Sequence, residues 1–201
     1  MSRWEPNARG RLAKAALELY AERGFDETTV AEIAERAGLT ERTFFRHFAD
    51  KREVLFGGQE LLGRAIMEAV AAAPDSAEPM EIAIAAVQAA ADRIPDQRDL
   101  QRQRRAVIAA NPGLQERELR KMAVLGDELA GALRAAGVSA STAVLCAQVA
   151  TIAFGLAFDR WLDDSSADEL SHVTAAVFAE IRAAVCAESG VPETARAGHR
   201  R

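Results

Sequence analysis

Strand-forming residues are scarce in this chain of 201 residues, which has one Tyr, two Trp and eight Phe against 44 Ala. Helix-favouring residues therefore dominate, and a sheet-based fold is excluded. Cysteine is nearly absent: Cys146 and Cys186 form no disulfide framework and no ligand pair. His47, His172 and His199 are isolated, so neither a metal nor another cofactor is expected. There is no Gly-rich phosphate loop. Asp163-Asp164 and Ser165-Ser166 read as a loop and N-cap, not as a nucleophile with its base, so an enzyme is not expected. No apolar run reaches the roughly 18 residues of a membrane span, and the N-terminus lacks a signal-peptide core. A cytoplasmic location without a membrane partner is the expectation. A basic excess is missing too, with 25 Lys and Arg against 30 Asp and Glu. Taken alone, that balance argues against nucleic acid.

The charge is unevenly placed, however. Residues 1–52 hold ten basic and nine acidic side chains, whereas the remainder holds 15 against 21. Two parts of different character meet near Lys51.

Helical punctuation runs through both parts. Pro6 fits a first helical turn, Leu12, Ala16 and Tyr20 repeat at helical spacing, and Gly24-Phe25 is a stop. Thr29-Val-Ala-Glu32 is a capping box, Gly38 permits a tight turn, and Thr40 caps a short helix over 41–47. Asp50-Lys-Arg-Glu53 reads as a second capping box that opens a long helix to about Ala73. Prolines at 74, 79, 95 and 112 then divide helices near 78–92, 96–110 and 112–136. Segments 139–163 and 166–188 complete about nine helices, and residues 191–201 are expected to be a disordered tail.

The segment from Gly24 to Lys51 has the order helix, Gly-containing turn, short helix, which is a helix-turn-helix. Phe44 and Phe48, four apart, share the inward face of the third helix. Glu41, Arg42, Phe45 and Arg46 are thereby turned outward, as a helix that enters a major groove requires.

Residues 9–56 resemble the DNA-binding domain of the TetR family of transcriptional regulators. The matching pieces are Arg9, Leu12, Ala15 and Ala16; Gly24-Phe25; Thr28-Thr29-Val30; Ile33-Ala34; Ala37-Gly38-Leu39; and Thr43-Phe44-Phe45-Arg46-His47-Phe48 followed by Asp50-Lys51. The resemblance implies an all-α homodimer. Residues 1–52 would form the three-helix DNA-binding domain, and residues 53–190 the ligand-binding and dimerisation domain. It further implies a regulator, usually a repressor, that binds a palindromic DNA operator and is released by a small-molecule effector. By position, Thr29, Thr40, Thr43, His47 and Lys51 are expected at phosphates or bases. Arg42 is expected at a base edge, Arg46 at a base edge or a phosphate, and Arg9 at a minor groove or the backbone. Phe45 stands where the family usually has Tyr, and so keeps apolar contact but loses a hydroxyl. A helical acyl-ligand or other small-molecule binding protein without a DNA role is the alternative reading.

The second half is less explicit. Its last two helices, 139–163 and 166–188, resemble the pair that dimerises in the family, with Val144, Leu145, Val149, Ile152 and Leu156, then Val173, Val177, Ile181 and Val185. Residues 100–122 carry Arg102, Arg104, Arg105, Arg117, Arg120 and Lys121 against Glu116 and Glu118. This stretch resembles the branch with an acyl-CoA-like effector, whose phosphate or carboxylate Arg102, Arg105, Arg120 or Lys121 would suit. A solvated helix face with intrahelical ion pairs explains the same charges. Met67, Met122, Phe154, Phe158 and Trp161 would line a pocket or else form plain core.

Overall fold

The computed structural model describes residues 7–164 and 168–187. The described residues form nine α-helices and no strand: α1 (Ala8–Arg23), α2 (Val30–Arg36), α3 (Glu41–His47), α4 (Gln59–Ala71), α5 (Pro79–Ala91), α6 (Arg98–Ala109), α7 (Pro112–Ala135), α8 (Ala140–Asp163) and α9 (Leu170–Ala187). The all-α expectation is met. Pro6 and the expected tail from 191 lie outside the described residues.

Local chemistry sets the helix ends. Asn7 caps α1 by accepting from the Gly10 amide at 3.0 Å. Thr29 and Glu32 form the expected capping box at α2, and Thr40 accepts from Thr43 at α3. Between α2 and α3, Leu39 donates to the Ala34 carbonyl at 2.8 Å and Gly38 to that of Glu35 at 2.9 Å. Gly38 sits at φ +65°, so a side chain there would strain this turn.

Two boundaries differ from the sequence reading. The fourth helix starts at Gln59, not at Asp50. Asp50 does accept from the Arg52 and Glu53 amides, at 2.8 and 2.9 Å, but turns occupy 51–58 and Gly58 takes φ +104°. Glu53 cannot return the capping bond because its carboxylate is engaged by α7. The last helix begins at Leu170, since Asp168 and Glu169 are non-helical and 165–167 lie outside the described residues.

Burial falls into two clusters. The first gathers Leu12, Ala16, Leu19, Tyr20, Ile33, Phe44 and Phe48 from the first three helices. It extends past residue 52 to Val54, Leu55 and Phe56, and it is closed by Val107 and Ile108 of α6 and Leu114 of α7. The second lies among α4, α5, α7, α8 and α9, where Ala83, Ala86, Ala143, Ala147, Ala150, Ala153 and Ala157 let the helices approach closely around Leu129, Leu133 and Trp161. Cys146 belongs to this core, and burial pushes its thiol pKa up.

The expectation that no segment reaches membrane-spanning length is corrected at α8. By length and composition that helix is long and apolar enough to cross a membrane. In this fold it packs instead against α5, α6, α7 and α9.

Candidate nucleic-acid interface and ligand region

The short α3 is held by two phenylalanines. Phe44 and Phe48 are buried with ring centroids 5.5 Å apart, and Phe45 meets Phe44 edge-on at 5.5 Å while remaining 55% exposed. That leaves one apolar ring on the outer face of α3. Arg42 and Arg46 are exposed on the same short helix. The face that turns outward is the one expected from the spacing.

Thr40 is placed as the α3 cap, its hydroxyl oxygen 3.1 Å from that of Thr43. Arg9 leaves the start of α1 and lies over the Phe48 ring at 4.9 Å, which brings it beside α3. His47 is half-buried at the end of the helix, and its Nε2 is buried without a hydrogen-bond partner among the described residues. Burial, then the charges of Arg46 and Arg9, hold its pKa below the ordinary 6.5. A phosphate beside the ring would act in the opposite direction, favouring the protonated form.

Two expected contacts are occupied within the chain. Lys51 directs its ammonium at the carbonyls of Phe25, Asp26 and Thr28, at 2.9, 3.0 and 3.0 Å, and lies 4.6 Å from the Phe25 ring centroid. Its three donors are consumed in tying the α1–α2 turn to residue 51, so this arrangement leaves none for phosphate. Thr29 donates both its amide and its hydroxyl to the Glu32 carboxylate, each at 2.8 Å. Those bonds, with the nearby Arg23, hold the Glu32 pKa low. A phosphate at Thr29 has to displace Glu32.

Sequence reasoning missed Arg11, whose guanidinium donates to the Ala37 carbonyl and so stops the end of α2. It also missed the junction at residue 56. There the Phe56 ring has three cations around it, Lys121 at 5.2 Å, Arg104 at 5.5 Å and Arg117 at 5.7 Å. Arg104 donates to the Leu55 carbonyl and to Glu118, and Arg117 to Glu53. The partners lie far apart in the chain, so no local pattern announces them.

The ligand region departs further from expectation. Arg102 donates to the Leu162 carbonyl at 2.7 Å and to Asp99 at 2.9 Å. Arg105 pairs with Asp163 and, at 3.5 Å, with Asp159. These arginines join α6 to the end of α8, and each keeps more than a third of its side chain exposed. Pairs within a helix, Arg102–Asp99 and Arg120–Glu116, stand beside pairs that join helices, Arg104–Glu118 and Arg105–Asp163. The same bonds lower the Asp163 pKa and raise that of Arg105. Phe154 and Trp161 are buried core, with Met122 and Phe158 packed against it. Of the expected lining residues, only Met67, 51% exposed, opens on the described groove.

That groove, about 650 Å³, runs between the α4–α5 and α7–α8 connections and is lined by Met67, Val70, Asp75, Ile82, Val138 and Thr142 among others. Trp161 lies nineteen residues along α8 from Thr142, about 28 Å at 1.5 Å per residue. The expected lining set is therefore split between two ends of the helical layer.

On the outside, Leu145 and Ile152 of α8 are each 63% exposed, with Val144 and Leu156 on the same helix and Val185 on α9 also exposed. Val177 is instead buried in the chain's own core, with Val149, Val173 and Ile181 packed against it. The Cys186 side chain lies outside the described residues.

Comparison with known proteins places these features. Residues 12–56 match the family described as bacterial regulatory proteins, tetR family. The chain is 36% identical over 88 residues to the HTH-type transcriptional regulator TcmR of Streptomyces glaucescens, a stretch covering 44% of this chain and 39% of that protein. The chain thus spans less than half the length of this curated relative. Among solved structures it is similar to a TetR transcriptional regulator from Nitrosomonas europaea (TM-score 0.60, 16% identity, 89% of this chain and 98% of that one). It is also similar to FadR from Bacillus subtilis in complex with stearoyl-CoA (TM-score 0.55, 19% identity, 84% and 94%). At such identities the likeness establishes the fold.

Proposed function

Because the chain belongs to the TetR family of bacterial regulatory proteins, we propose that it is a ligand-responsive repressor that binds a palindromic operator as a homodimer. The observation that carries this reading is the outer face of α3. Arg42, Phe45 and Arg46 stand exposed there on a helix that Phe44 and Phe48 lock from below. Arg42, in the first turn, is the side chain for bidentate base readout, and Arg46 serves a second base or a phosphate. Phe45 packs on sugar or a thymine methyl. Thr40, Thr43 and Arg9 flank that face as backbone contacts, and the unit that reads DNA comprises residues 1–52. Thr29 joins if Glu32 releases it, and His47 contributes a ring N–H donor. Lys51 holds the shape of the reading surface instead of touching phosphate.

Dimerisation through α8 and α9 is supported by their exposed Leu145, Ile152, Leu156 and Val185. Two copies separate the two α3 helices for successive half-sites. Acting on DNA places the protein in the cytoplasm. Residues 53–190 receive a small amphipathic effector that releases the operator. The solved Bacillus subtilis FadR holds stearoyl-CoA; here Arg102 and Arg105 pair with acidic side chains, so a headgroup there would compete with those pairs.

The test is selection of a binding site from random duplexes followed by gel shift. We expect a palindrome bound with steep salt dependence. Arg42→Ala is expected to reduce specific binding by about tenfold or more, as loss of a bidentate base contact should. Recovery of no palindrome would overturn the reading and favour a ligand-binding protein without a DNA role.

A further inference from the structure

The groove between the α4–α5 and α7–α8 connections has a consistent electrostatic character. Its floor is apolar, made by Met67, Val70, Ile82 and Val138. Every charged residue between 67 and 82 is acidic, namely Glu68, Asp75, Glu78 and Glu81, and between 132 and 142 Arg134 is the lone charge. Of these, Asp75 lines the groove. Its neighbours are otherwise employed: Glu68 pairs with Arg93 at 3.6 Å, while Glu78 and Glu81 form the capping box of α5. No cation pairs with Asp75 among the described residues.

The helix ends add to this sign. α4 and α7 finish at the groove, through Ala71 and Ala135, and helix C-termini carry partial negative charge. The opposing N-termini are already answered, that of α8 by Ser139 accepting from Thr142 at 3.3 Å and that of α5 by Glu78. An apolar floor under an unpaired carboxylate and two carbonyl-bearing ends repels an acyl carboxylate or a phosphate. It complements the opposite charge, and about 650 Å³ accommodates a molecule of drug size.

We infer that this groove binds a small amphipathic cation, whose apolar body lies on Met67, Val70, Ile82 and Val138 and whose positive head faces Asp75. The inference rests on the reading that the C-terminal helices receive an effector, but binding in the groove is measurable without DNA.

The experiment titrates the purified full-length protein by calorimetry with dodecyltrimethylammonium and, in parallel, with dodecanoate, both below their micelle-forming concentrations. One cation is expected per chain, with dodecanoate binding at least about fivefold more weakly, the scale of a single exposed charge interaction of each sign. Asp75→Asn, at an exposed position, is expected to remove most of that preference while the thermal midpoint stays unchanged. Ala136→Phe, at an exposed lining position, is expected to block both probes. Equal affinity for the two probes, or cation binding that survives both substitutions, overturns the inference. Operator binding measured with and without the cation separates the two readings. Asp75-dependent binding that leaves operator affinity untouched supports the groove and counts against it as the effector site.

Discussion

Glu53 and Arg117 are ion-paired across the junction between the helix-turn-helix and the remaining helices, with Lys121 3.4 Å from the same carboxylate. The pair is half-buried and stands against Phe56, whose ring contacts both cations. Burial opposes ionisation of Glu53, yet the hydrogen bond from Arg117 and the two positive charges prevail and hold its pKa below the ordinary 4.5.

Stability should therefore depend on pH through Glu53. A depressed carboxylate stabilises the folded state above the ordinary pKa, and that contribution is lost as pH falls through the folded value. Glu53→Gln is expected to destabilise by roughly 1–3 kcal/mol near neutrality, the range for hydrogen bonds to charged groups. The deficit relative to the parent should shrink below pH 4.5. Thermal unfolding of both proteins between pH 3 and 7, pH values chosen to bracket roughly the Glu range, checks this; a constant gap would contradict it.

Lys51→Ala separates architecture from DNA contact. Loss of a half-buried cation that serves three carbonyls is expected to cost about 2 kcal/mol of stability. A purely phosphate-contacting lysine would leave the melting temperature unchanged and lower only the salt slope of binding. Denaturant melts beside gel shifts discriminate the two.

Phe45→Tyr restores the hydroxyl that the family usually has at this position. The ring is mostly exposed, so stability should not change. One added phosphate bond worth about 1 kcal/mol predicts operator binding tighter by about fivefold. Fluorescence anisotropy on a fixed operator reads the change, and an unaltered affinity would mean that the ring edge does not reach the backbone.

Leu145→Glu combined with Ile152→Glu places charge on the exposed face of α8. Sedimentation is expected to shift from a two-chain to a one-chain species with the helical signal retained. Operator affinity should fall with it, because half-sites would then be bound singly.

The reading head was the most legible part of the chain. Caps at Thr29 and Thr40, the Gly38 turn and the Phe44–Phe48 spacing are local signals, and each produced the structure it announced. Asp50 and Glu53 carried a local signal of the same kind, but a distant partner on α7 captured Glu53 and Gly58 ended the turn. The pairing of Arg105 on α6 was not legible for a similar reason: composition gave the arginines' number, while Asp159 and Asp163, more than fifty residues later, are its partners. The groove was invisible beforehand because it is formed by two connections whose residues share no periodic pattern.

Val107, Ile108 and Leu114 complete the core that α1 shares with α6, and this has a practical bearing on engineering. A reading head transplanted as residues 1–52 would arrive with an open floor, its underside exposed to water and inclined to aggregate. Chimeric regulators built from this chain need the cut moved, so that α6 and the first turn of α7 travel with the recognition helix. The unit of exchange is a discontinuous one, assembled from two stretches of sequence.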